Sequence, residues 1–324
     1  MIRFANIEDV PRIMNFIDIY WCKGHIMSRN RRLFDFQHQW DQETAFVISE
    51  TNREITGILG YIPYGRSDRD ITLAIWKTIK TNETMLGIHI FNFLRENADA
   101  HTISAPGINP KTIPTYKFLG MHTGKMKHWY RLYQFSNYKI AKVIDCDIPV
   151  PLKTDGIEIC RIENFRQAQE DFGLADCLDR DKQLKKNMNF IERRYFNHPV
   201  YQYIKYGVVL DTEKLFIILR IQHYNGVNIM RVIDCIGDHR LLQYFTLEMD
   251  DLLLKYNCEY VDCYESGIEE LFFLNGGWKL VEDSGNIIPD YFAPFERRNI
   301  DIYYMSDIED VILFKGDGDM DRPN

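Results

Sequence analysis

The chain has 324 residues, is 45% hydrophobic and 14% aromatic, and carries a formal net charge of −8. That length exceeds what one hydrophobic core usually serves, so two domains are expected, and the apolar content excludes disorder. An acidic chain without a Lys/Arg-rich run argues against a nucleic-acid partner, while a local basic pocket for a phosphorylated ligand stays open.

In chain order, "IRFA" predicts a short strand, followed by a helix that Asn6 caps with Asp9 in its first turn. Val10, Ile13, Met14, Ile17 and Tyr20 then recur at helical spacing, and a second helix is expected over 30–40. "AFVIS" and "ITGILGYIPYG" predict two strands turning at Asn52, and "ITLAIWKTI" (71–79) a third. An amphipathic helix follows over 86–97, then the strand "HTISAP" and a short helix ending at Gly120-Met121. "DCDIPVPLKTDG" (145–156) has a linker composition, which divides the chain into 1–147 and 148–324.

Beyond the linker the order repeats. "IEIC", "RIENFRQAQEDF", "YGVVLD", "LFIILRIQHYNG" and "NIMRVIDCI" precede a helix over 241–256, the strand "EYVDCY" and a short helix ending at Gly277-Trp278. The offset stays within 155 to 157 residues, so two copies of one αβ module are expected. The polar tail "KGDGDMDRPN" reads as a frayed end. "IIPDYFAPFERRN" (287–299) reads as an exposed charged turn, or as a phosphate site using Arg297 and Arg298.

The opening "MIRFANIEDV" lacks the apolar region of a signal peptide, and the longest apolar run, "LFIIL", is too short to cross a bilayer. Seven cysteines without a C-x-x-C read as reduced thiols, so a cytoplasmic protein without membrane insertion is expected. No metal is expected: His198 and His223 lack partners at ligand spacing, and "GDGDMD" lacks the closing Glu of a calcium loop.

The stretch "NPKTIPTYKFLGM" (109–121) places Asn109, Thr112, Tyr116 and Gly120-Met121 in one short helix and its exit. With the element order, this pattern resembles the GNAT superfamily of acyl-CoA-dependent N-acyltransferases, well over residues 2 to about 133 and in element order only beyond. "GILGYIPYG", "GINPKTIPTYKFLGM" and "GKMKHWYRL" more loosely resemble GNAT-type proteins of bacterial surface-polysaccharide biosynthesis. The resemblance implies an α+β fold of two tandem modules. Each would be a mixed, mostly antiparallel sheet with splayed central strands flanked by helices.

It also implies acyl-CoA as a substrate of the first module. The pantetheine arm would lie along the splayed strand at Ile75, Trp76 and Lys77, whose backbone near Ala74–Trp76 would donate to the oxyanion. The turn at Leu86, Gly87 and Ile88 would cradle the pyrophosphate with N–H groups, Asn109 would contact the cofactor or cap its helix, and Tyr116 would face the sulfur. "NETMLG" (82–87) departs from the family's R/Q-x-x-G-x-G/A: Asn82 and Met85 replace the first two key residues and Gly87 alone fits.

His25 and His128 are the candidates for the base that takes the amine proton, since imidazole titrates near neutrality. Counting back four residues from Gly277 gives Phe273, a ring without a hydroxyl, so the second module is expected to be chemically silent. The implied function is N-acyl transfer, acetyl in the first instance, to a small-molecule amine such as an amino sugar or nucleotide-linked amino sugar. Rival readings are a Fem-type aminoacyl transferase, a protein-amine acetyltransferase, and a non-catalytic GNAT-fold binding protein.

Overall fold

The computed structural model describes residues 1–40, 43–65, 69–135 and 137–323. The first half runs β1 (Ile2–Ala5), α1 (Val10–Phe16), α2 (Ile26–Arg29), α3 (Arg31–His38), β2 (Gln39–Trp40), β3 (Glu43–Thr51), β4 (Glu54–Pro63), β5 (Arg69–Thr78), α4 (Leu86–Asn97), β6 (Ala100–Ile108), α5 (Ile113–Phe118), β7 (His122–Lys125) and β8 (Lys127–Leu132). The second runs β9 (Glu158–Arg161), α6 (Phe165–Gln167), α7 (Met188–Ile191), β10 (Ile204–Leu210), β11 (Glu213–Tyr224), β12 (Val227–Gly237), α8 (Thr246–Lys255), β13 (Cys258–Ser266), α9 (Glu270–Asn275), β14 (Lys279–Leu280), α10 (Val281–Ser284), β15 (Tyr303–Ser306) and β16 (Leu313–Phe314).

Local chemistry sets the entries. The Asn6 side chain accepts from the N–H groups of Glu8 and Asp9 while the Asp9 carboxylate takes the Asn6 N–H, a reciprocal cap. Val10, Ile13, Phe16 and Ile17 then pack with Leu33 and Phe34 on one face of the first sheet. On the other face α4 buries Leu86, Ile90, Phe91 and Leu94, each contributing about 1.5–3 kcal/mol. Gly57 on β4 permits that approach: a Cβ there would stand 2.5 Å from Ile90 Cδ1.

The fold is mixed α+β, with two mixed, mostly antiparallel sheets of eight strands each among the described residues, ordered β1-β3-β4-β5-β6-β15-β7 with β2 beside β3, and β9-β10-β11-β12-β13-β8-β14 with β16 beside β13. The one parallel pair in each is β5 with β6, and β12 with β13. The halves exchange a strand. β15 of the second half lies between β6 and β7, and β8 of the first half lies between β13 and β14, so each sheet needs the other half of the chain.

The tail is not frayed; it is built into the interior. Lys315 pairs with Asp290, Asp317 lies 2.9 Å from Lys186, and Asp321 lies 2.8 Å from Arg220. Lys315, Asp317 and Asp321 thus each meet a buried opposite charge, while Asp319 pairs with Arg322 of the tail itself, which composition alone does not reveal. In the 287–299 segment Asp290 is buried against Arg231, while Arg297 and Arg298 are exposed, Arg298 pairing with Glu296 at 2.6 Å. Among the described residues, no helix is long and apolar enough to cross a membrane.

Candidate active site

In the first sheet the parallel ladder between β5 and β6 starts at Arg69 and Ala100 and stops at Thr72 and Ser104. Beyond that fork Leu73–Thr78 pair only with β4, and β6 pairs only with β15, so a gap opens between them. The register of β5 against β4 also slips by one here. Leu59 faces Trp76 but Tyr61 faces Leu73, so Ala74 and Ile75 together oppose Gly60. A bulge of this kind frees a backbone group from the ladder and re-aims it. The Ile75 side chain is buried against the α1–α3 face, which leaves only its backbone to the gap.

The second sheet has the same fork, and it is closed. The β12–β13 pairing ends at Val232 and Cys263. The tail enters beyond it: β16 pairs with Glu265 and Ser266, and the Gly316 N–H donates to the Ile233 carbonyl at 2.7 Å. Gly267, at φ +82°, takes a left-handed turn so that Val311 can pass, its Cβ position lying 2.8 Å from the Val311 carbonyl. The chain's own segment 311–318 therefore occupies the second gap. It then crosses the first fork, where Gly318 approaches Thr72 and Pro106, and Met320 covers Gly107.

At the first gap Trp76, Gly87 and Tyr116 lie together. The N–H groups of Leu86, Gly87 and Ile88 precede the first intrahelical bond of α4, from His89 N–H to the Met85 carbonyl at 3.1 Å, and so are the orphan donors of its end. Met85 enters the helix at φ 63°, ψ 20°, left-handed. The turn thus keeps a conformation glycine favours, with methionine bearing the strain. Glu83 also stands at this turn, bonded to His89 at 3.0 Å. The Trp76 indole lies 3.5 Å from where a Cβ on Gly87 would be and stacks on Phe91 at 5.7 Å. Lys77 follows it, half-buried, on β5.

Tyr116 packs against Trp76, ring centroids 5.5 Å apart, and edge-on to Phe91 at 6.3 Å. It is 4% exposed, and among the described residues its hydroxyl has no hydrogen-bond partner. Burial pushes its pKa above the ordinary tyrosine value. Asn109 caps the turn before α5, its Oδ1 accepting from Lys111 N–H at 3.0 Å, and is exposed.

The two histidines are not together. His25 lies in the loop before α2, where its Nδ1 accepts from Met27 N–H at 3.3 Å. The neutral ring therefore carries its proton on Nε2, a buried atom without a partner among the described residues. Burial and then the Arg322 charge lower its pKa to about 4; Arg322 itself pairs with Asp319 at 2.7 Å. His128 is on β8 and so belongs to the second sheet. It stacks on Tyr264 at 3.8 Å with Nε2 3.4 Å from Asp262, and burial lowers its pKa. The sequence reading missed the bulge, which leaves no residue-type signature, and the tail, whose glycines and charges mimic a disordered end.

No protein-family model matches the chain, and no curated protein does. Solved structures it resembles include a GCN5-related N-acetyltransferase from Sphaerobacter thermophilus, at 10% identity over 94% of this chain and 94% of that one, TM-score 0.44. Another is N-myristoyltransferase of Saccharomyces cerevisiae with bound myristoyl-CoA, at 8% identity over 94% and 78%, TM-score 0.45. A third is Eis1 from Mycobacterium abscessus, at 12% identity over 81% and 65%, TM-score 0.42. These are loose likenesses of overall shape.

Proposed function

We propose that the chain is an N-acyltransferase that takes its acyl group from acyl-CoA bound at the first gap. One observation carries this reading: a fork between β5 and β6 left unpaired beyond Thr72 and Ser104, flanked by the open N-terminus of α4 and by Tyr116, in a molecule whose second fork is paired to its own tail. The donors of Leu86, Gly87 and Ile88 suit a pyrophosphate, and the gap suits an extended pantetheine arm. Trp76 would have to yield part of its place over Gly87. The bulged backbone at Ala74–Trp76 would meet the thioester oxygen, the position where negative charge grows.

The amine nitrogen attacks the carbonyl carbon, the C–S bond breaks, and the sulfur leaves with the electron pair. Tyr116 is suited to stabilise that thiolate by donating a hydrogen bond. An ordinary phenol near pKa ~10 giving its proton to a thiolate near ~8.5 is already uphill by about 2 kcal/mol, and burial of Tyr116 raises this further. The amine proton must leave by another route. His25 is poorly suited to take it, since its Nδ1 is engaged and its Nε2 is already protonated; water is left as carrier. The acceptor would approach on the side of His25 and the Asp319–Arg322 pair. By resemblance we assign it to amino sugars, free or nucleotide-linked.

A non-catalytic reading is favoured by Trp76 over Gly87 and by Glu83 at the turn. Steady-state assays of thiol release from acetyl-CoA with a panel of amino sugars and other amines decide between them. We expect turnover with at least one amine, falling about 10²- to 10³-fold in Tyr116→Phe with donor binding preserved. Donor binding without turnover on any amine favours the non-catalytic reading.

A further inference from the structure

A cleft of about 950 Å³ lies at one end of the second sheet, lined by none of the residues invoked above for acyl transfer. Its cause is a mismatch of strand lengths. β10 starts at Ile204, opposite Leu219, while β11 runs on to Tyr224, so Arg220–Tyr224 are paired only on the β12 side. Clefts of this size hold small organic ligands.

The lining carries surplus positive charge. Lys205 is 9% exposed, yet its ammonium donates only to the Tyr203 carbonyl, at 3.1 Å, and rests 4.5 Å from the Phe196 ring centroid. Among the described residues no carboxylate reaches it within salt-bridge distance. Arg220 stacks on Tyr201 at 4.2 Å and shares the single Asp321 carboxylate, 2.8 Å away, with Arg194 at 3.9 Å. Two guanidinium groups thus face one carboxylate. Arg161 stands at the mouth, paired with Glu163 at 2.8 Å. A buried ammonium without a counter-ion is costly, and so such a site favours an incoming anion. Burial accordingly lowers the pKa of Lys205. Tyr256 adds an aromatic wall on which a planar ring can lie.

We propose that this cleft binds a phosphorylated small molecule carrying a planar ring, its phosphate held by Lys205, Arg161 and Arg220. The assignment is independent of acyl transfer. Isothermal titration calorimetry of the full chain with pyrophosphate, ADP and UDP tests it. Saturable binding at one site is expected, tighter for a nucleotide than for pyrophosphate. Lys205→Met should weaken it about 10- to 100-fold, and Arg161→Gln, an exposed change that spares the fold, about 3-fold. No saturable binding by any of the three probes overturns the proposal. So does unchanged affinity in both variants, which would locate the binding elsewhere. Tighter binding of an acidic peptide than of any probe would assign the cleft to a protein partner and overturn it as well.

Discussion

Lys186→Met tests how the tail is held. The Lys186 ammonium lies 2.5 Å from Asp234 and 2.9 Å from Asp317, with side chains 3%, 0% and 1% exposed. Tyr195 donates to Asp234 at 2.5 Å and Tyr64 to Asp317 at 3.0 Å, so both carboxylates are fixed in place. Burial opposes the charge on Lys186, but the two carboxylates outweigh it and raise its pKa. Removing the ammonium leaves two carboxylates buried together, at a cost of about 3–5 kcal/mol. The native pair then holds a proton more tightly than the unfolded chain does. Its stability deficit is therefore largest at high pH and shrinks as pH falls. Part of the loss is therefore recovered as pH falls from 7 to 5. Urea unfolding at both pH values measures this. The double variant Lys186→Met, Asp317→Asn should be less destabilised than Lys186→Met alone. A loss below about 1 kcal/mol, or one equal at both pH values, would refute the reasoning.

Three further outcomes are expected. Met85→Gly relieves the left-handed backbone at φ 63°, where the side chain is 54% exposed, and should stabilise by about 0.5–1 kcal/mol in urea melts; destabilisation would mean the methionine packs usefully. Burial raises Glu265 to about 7; the stability it lends below its unfolded value is lost as pH rises through 7, by at most roughly 3 kcal/mol. Glu265→Gln should remove that slope, and an unchanged profile would contradict the assignment. Burial lowers His38, His198 and His239 to about 4, 3 and 4. Their stabilising effect is present above pH 6.5 and lost as pH falls through 4, so unfolding at pH 5 should be accompanied by proton uptake, measurable by potentiometry; none would contradict it.

The helices and strands were legible where burial imposes a period. Val10, Ile13 and Ile17 mark one helix face, and the offset between the two halves follows because both must bury the same pattern. The strand exchange was not legible. β8 and β15 are short, and pairing with a sheet far along the chain leaves no local trace. The tail misled because alternating glycine and charge signals solvent until the partners Asp290, Lys186 and Arg220 are placed around it. Of the candidate site, Trp76, Gly87 and Tyr116, which the family resemblance had named, lie beside one another. The left-handed Met85 turn was hidden, since nothing in "NETMLG" but position calls for it. Lys205 was visible in principle: in "YQYIKYGVV" it interrupts an otherwise apolar strand, two residues after Tyr203.

Acyl-CoA is proposed to enter the first fork, unpaired beyond Thr72 and Ser104, and not the second, which residues 311–318 fill. Calorimetric titration with acetyl-CoA reads this directly as a stoichiometry. We predict one equivalent per chain, together with a stabilisation of about 2.7 kcal/mol at 100 times the dissociation constant. No binding of acetyl-CoA or of longer acyl-CoAs, or two equivalents per chain, would contradict it.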